Sequence, residues 1–170
     1  MSQLVQNGAN TEHQSKASQN FQIIVFKQGN EEYALHIDQI KEVVITPPIT
    51  KMPQVESYIK GVANIRGNII SIIDLEDKFG LKKTDRNESG NNYTLVIQSE
   101  EIKAGLLVQD VPNTMTVAPG DLDYSISLPG EGSQDMDYII GIIKKEARLI
   151  ILIDVMKVLE YEGQLLTLKN

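Results

Sequence analysis

From Phe21 onward the chain is written as short apolar runs separated by turn residues. Phe21–Lys27 predicts a strand, and Gly29-Asn30 a turn into a second strand at Glu32–Ile37. A third strand over Ile40–Ile45 ends at Thr46-Pro47-Pro48, because proline fixes φ and has no N–H to give to a ladder. Gly61–Ile65 and Ile69–Ile73 predict a hairpin around Arg66-Gly67-Asn68. Asp74 to Phe79 then reads as a short helix, with Asp74 as N-cap and Gly80 as terminator.

The second half repeats this plan. A shift of 72 pairs Phe21 with Tyr93, Ile23 with Leu95, Val25 with Ile97, Leu35 with Leu107 and Asp38 with Asp110. A shift of 80 pairs Tyr58 with Tyr138, Gly61 with Gly141, Ile70 with Ile150, Ile73 with Ile153 and Asp74 with Asp154. The difference of 8 (80 − 72) is an insertion in the connection around Pro119–Asp135, rich in Gly, Pro, Ser and Asp as a long surface loop should be. The expected architecture is all-β: two small five-stranded barrels packed together, with short helices after Ile73 and Ile153. Each unit of about 60 residues is marginal alone. Barrel closure removes exposed strand edges, and packing the barrels together covers the second apolar face of Phe21–Lys27, where Ile24 and Phe26 oppose Ile23 and Val25. Subdomain 1 is expected at about 21–84 and subdomain 2 at about 92–161.

Composition narrows the function. Residues 1–20 are rich in Gln, Asn and Ser and read as a mobile tail, with a second tail at 162–170. The first twenty residues do not form a basic start followed by an apolar core, so no secretory signal is expected, and no run approaches the ~18 apolar residues of a membrane span. The sequence has no cysteine, which excludes disulfides, thiolate metal sites and a thiol nucleophile. The set fits a reducing cytoplasm. A net charge of −7 and the absence of Trp argue against nucleic-acid binding.

Candidate chemistry is sparse. His13 lies in the tail and His36 stands alone in a strand, so a metal site lacks ligands. Asp74 and Asp154 each stand where a strand meets a helix, a capping position more readily than an acid–base pair. Glu31-Glu32 and Glu100-Glu101 read as solvated charge pairs near turns. Phosphate-loop, nucleophile-elbow and zinc-protease patterns are missing, so neither catalysis nor a cofactor is expected.

The two copies differ at the hairpin tip. Opposite Lys60, Asn64, Arg66 and Gly67 stand Ile140, Lys144, Glu146 and Ala147. Asn and Gly suit a tight turn, whereas Arg66 brings a rigid fork of donors suited to a partner's carboxylate or carbonyls.

Tyr58-Ile59-Lys60-Gly61-Val62-Ala63-Asn64-Ile65-Arg66-Gly67, followed by Ile69-Ile70-Ser71-Ile72-Ile73-Asp74-Leu75, resembles the signature segment of CheW-like proteins. Glu31–Leu35, Ile40–Val43, the approach from Pro53 and Leu149–Asp154 resemble the same family. The likeness runs from about Phe21 to Glu160. It implies two packed SH3-like barrels and an adaptor without turnover. Its expected partners are the C-terminal regulatory domain of the histidine kinase CheA and the cytoplasmic tips of chemoreceptors, in flagellar chemotaxis or in another array such as twitching motility. The expected location is cytoplasmic, at receptor arrays, without membrane insertion. By resemblance Ile40 and Val43 line an apolar groove for a receptor helix, and Gly61, Asn64, Arg66 and Gly67 lie at or near partner contacts. Gln109 departs from the apolar residue the family often carries before Asp110. Rival readings are a nucleic-acid-binding barrel, which a basic stripe would favour, and a small enzyme built around Asp74 or Asp110.

Overall fold

The computed structural model describes residues 19–81, 92–125 and 137–159. The expected tails, apart from Gln19 and Asn20, and the centre of the long connection fall outside them. The strands are β1 (Phe21–Gln28), β2 (Glu31–His36), β3 (Ile40–Ile45), β4 (Ile59–Ile65), β5 (Asn68–Ile73), β6 (Tyr93–Ile97), β7 (Ala104–Val108), β8 (Asn113–Val117), β9 (Leu122–Asp123), β10 (Ile139–Lys145) and β11 (Arg148–Ile153). Short helices follow β5 (α1, Leu75–Lys78) and β11 (α2, residues 155–159), as expected. Asp74 Oδ1 accepts the N–H of Glu76 at 2.9 Å and Asp154 Oδ1 that of Met156 at 3.1 Å, so both carboxylates cap helices. Gly80, at φ 65, takes the left-handed geometry that ends α1.

One sheet runs β8-β1-β2-β11-β10-β9 and the other β3-β6-β7-β5-β4. Each closes the same way: the chain leaving the edge strand pairs with the opposite edge. β9, after β8, pairs with β10, and Thr50, after β3, bridges to Val62 of β4. This explains a repeated glycine. A Cβ on Gly61 would stand 2.1 Å from the Thr50 carbonyl oxygen, and one on Gly141 2.7 Å from that of Asp123. Closure brings the backbones too near for any side chain.

The sequence copies and the sheets divide the chain differently. Hairpin β1–β2 of the first copy joins β8–β11 of the second, and hairpin β6–β7 of the second joins β3–β5 of the first. Both joins are parallel, β2 on β11 and β7 on β5. Turns and hairpins are local and legible in sequence, whereas a parallel join has no local signature.

Side chains on the two faces of each sheet sort into three cores. Ile23, Val25, Ala34, Ile143, Ile150 and Leu152 fill the first sheet, while Ala63, Ile65, Ile70, Ile72, Val96 and Leu107 fill the second. Between the sheets lies the largest cluster, with Ile24, Phe26, Leu35, Leu95, Ile97 and Leu106 among its members. The expected two-sided burial of β1 is therefore present. The clusters also correct the repeat. Ile23 lies inside its sheet and Leu95 between the sheets, so a shift of 72 pairs residues facing opposite ways. A shift of 73 pairs Ile23 with Val96, Ile24 with Ile97, Ala34 with Leu107 and Leu35 with Val108, each pair in equivalent cores. It also pairs Thr50 with Asp123, the two closing residues. The insertion is thus 7 residues (80 − 73) and follows Asp123.

Glu32 is another correction. It binds Arg148 of β11 and is not a simply solvated charge.

Candidate functional site

Two surfaces of the second sheet carry the expected site residues. The first is β3, an edge strand with alternating exposure. Ile40 pairs opposite Ile97, Val43 opposite Leu95 and Ile45 opposite Tyr93, so all three lie on the face of the sheet that carries the inter-sheet core. A bulge between Ile40 and Glu42 lets residues three apart share a face. Ile40 is half-buried against that core, whereas Val43 is 39% and Ile45 62% exposed. The flank is therefore a continuation of the core into solvent. Ile45 was not among the expected residues; its proximity to Pro47 reads as a strand end, which hides its place in the apolar row.

The second surface is the β4–β5 hairpin tip. Ile65 pairs with Asn68, so the turn is Arg66-Gly67 alone and Asn68 belongs to the ladder. Both turn residues have positive φ, 52 for Arg66 and 82 for Gly67, the mirror-image turn that matches strand twist. Asn64 lies in β4, and its Oδ1 accepts the N–H of Gly67 at 3.0 Å. Arg66 therefore carries left-handed strain itself, where Asn and Gly were expected to absorb it. Its Nε donates to Glu42 Oε2 at 2.7 Å, with the arginine side chain 73% and the glutamate 20% exposed. Glu42 stands between Lys41 and Val43 on β3, so this ion pair brings the two expected surfaces together. A partner 24 residues away on the opposite sheet edge leaves no signal in sequence.

Gly61 is separate from both surfaces. It sits buried at the β4 bulge, under the closing Thr50 segment. Lys60, next to it, pairs with Asp77 and lies 3.7 Å from Asp74.

In the second copy the same two places lack these features. By the 73-residue shift Thr116 replaces Val43, Ala118 replaces Ile45 and Met115 replaces Glu42; at the tip Glu146 and Ala147, at φ 54 and 58, replace Arg66 and Gly67. Asp74 and Asp154 cap helices, and among the described residues no cluster of three or more His, Asp or Glu could hold a metal ion. His36 packs its ring 5.0 Å from that of Phe21. No helix among the described residues is long and apolar enough to cross a membrane.

The described residues thus define an all-β class of protein: two interlocked barrel-like sheets, one carrying an exposed apolar strand flank and an arginine-tipped hairpin. Comparison with known proteins gives that class its family. The CheW-like domain matches residues 22–163. The chain is 32% identical over 139 residues to the chemotaxis protein CheW of Helicobacter pylori, covering 82% of this chain and 81% of that protein. It is 31% identical over 142 residues to CheW of Bacillus subtilis, with 83% and 88% covered. Its fold matches the crystal structure of the scaffolding protein TtCheW from Thermoanaerobacter tengcongensis with a TM-score of 0.68 and 30% identity, over 81% and 86% of the two chains. The chain belongs to the CheW-like family. It is an adaptor of chemotaxis signalling.

Proposed function

We propose that the flank Ile40, Val43 and Ile45 receives an amphipathic helix from the cytoplasmic tip of a chemoreceptor, and that the Asn64–Gly67 tip meets the C-terminal regulatory domain of the kinase CheA. The observation that carries this reading is the asymmetry between the copies. A duplicated fold offers two equivalent edges, and the first alone joins an exposed apolar row to a charged tip. Exposed apolar side chains continuous with a core fit a helix laid into a groove, and Arg66 offers directional donors to carboxylates or carbonyls.

The mechanism has no turnover. The adaptor works in the cytoplasm, at receptor arrays, and holds receptor and kinase in a fixed geometry. Receptor occupancy then biases kinase activity through differential contacts. Val43→Glu tests the groove: it places a charge on an exposed position and should abolish co-sedimentation with receptor tips while circular dichroism stays that of the wild type. Undiminished co-sedimentation would sink the groove assignment.

A further inference from the structure

The buried polar side chains among the described residues are Gln28, Asp74, Glu76 and Thr94. Asp74 is a helix cap, but two of the others, Gln28 and Glu76, converge on one turn. That turn joins β1 to β2. Gly29 has φ 60, the first central position of a two-residue hairpin turn whose cross-turn bond does not use the Gly29 N–H. Gly29 N–H instead donates to Glu76 Oε1 at 3.0 Å, across 47 residues of sequence. The neighbouring Gln28, 2% exposed, donates from Nε2 to the carbonyl of Leu107 at 3.2 Å. Both bonds leave a turn of the first sheet. They end on α1, which follows β5 of the second sheet, and on β7 of that same sheet.

The repeat carries apolar residues at the equivalent places. In the second copy Met156 replaces Glu76 and Ile102 replaces Gly29, and both pack against the inter-sheet core. Apolar residues therefore serve at the equivalent places. Burying a carboxyl where an apolar group fits adds little stability, because desolvation offsets the bond gained. A hydrogen bond is directional where an apolar contact is not, so it fixes geometry.

We propose that Glu76 is a positioning residue: with Gln28 it sets the angle between the two sheets, and through that angle the shape of the groove beside β3. The link to the groove rests on the docking reading above; the link to the angle does not. The absence of cysteine makes a direct test simple. Spin labels at Ile69→Cys and Leu149→Cys, exposed equivalents on the two sheets, report the inter-sheet distance by pulsed electron resonance. Wild type and Glu76→Gln, which keeps an acceptor, should give one narrow and identical distribution. Glu76→Met, the second copy's own residue, should shift or broaden it while melting no lower than wild type. Gln28→Met removes the second bond to the same turn and should act alike if the first variant folds poorly. Distributions that superimpose in both variants overturn the positioning role. A changed distribution with unaltered receptor-tip binding overturns the groove reading instead.

Discussion

Arg148 and Glu32 bind each other through both forks of their side chains across the parallel join of β11 and β2, with Nε to Oε2 at 3.0 Å and Nη2 to Oε1 at 2.6 Å. Each belongs to a different copy, so the pair fastens one repeat to the other. At the equivalent join of β5 and β7 the counterpart of Arg148 is Asn68, and Lys103 reaches it at 3.5 Å.

This pair should give stability a pH dependence. The bond from Arg148 holds the Glu32 carboxyl below its ordinary value of 4.5. A carboxyl with a depressed folded-state pKa contributes fully above its unfolded pKa, and the contribution drains as pH falls through the folded one. Both side chains are partly exposed, so Arg148→Ala should cost about 1 kcal/mol near neutral pH. The gap between wild type and variant in urea midpoint should close as pH drops below the ordinary glutamate range. A gap that persists unchanged in acid would mean the loss is one of packing.

Arg66→Ala should leave the fold intact, because an ion pair with so exposed an arginine contributes about 0–1 kcal/mol. Kinase activation in a reconstituted receptor–kinase mixture should nevertheless fall. Full activation by the variant would remove Arg66 from the docking surface.

The hairpin tips make a matched pair of stability tests. Ala147 holds φ 58 without being glycine, so Ala147→Gly should stabilise by about 0.5–1 kcal/mol. Gly67→Ala should lose a similar amount, since a Cβ there meets open space and the cost is backbone conformation alone. Thermal melts of the two single variants should move in opposite directions.

Gly61→Ala should be far worse. Its Cβ would overlap the Thr50 carbonyl oxygen and its φ is 139. A loss of about 3 kcal/mol or more is expected, with poor soluble yield. A mild effect would show that the closing segment can move away.

Much of this fold was legible in sequence. Turn residues and short apolar runs placed most strands within a residue or two, and Asp74 and Asp154 announced both helices. The copy register was not legible, for a physical reason. Strands such as Ala104–Val108 are buried on both faces and show no alternation, so a slip of one residue changes no pattern while it turns every side chain over. The strand exchange between copies and the Glu42–Arg66 pair were hidden alike, because contacts across a closed sheet depend on topology and not on spacing. Of the expected site residues, Ile40 and Val43 lie on one flank and Asn64, Arg66 and Gly67 at one tip, whereas Gly61 serves barrel closure.

The exchange of hairpins bears on how such an adaptor carries load. Val43 on β3 is hydrogen-bonded through β6 and β7 of the second copy before the ladder returns to β5 and the Arg66 tip. A torque applied at either proposed docking surface would therefore run through a continuous lattice of main-chain bonds contributed by both copies. In the docking reading proposed above, such a body turns as a rigid strut.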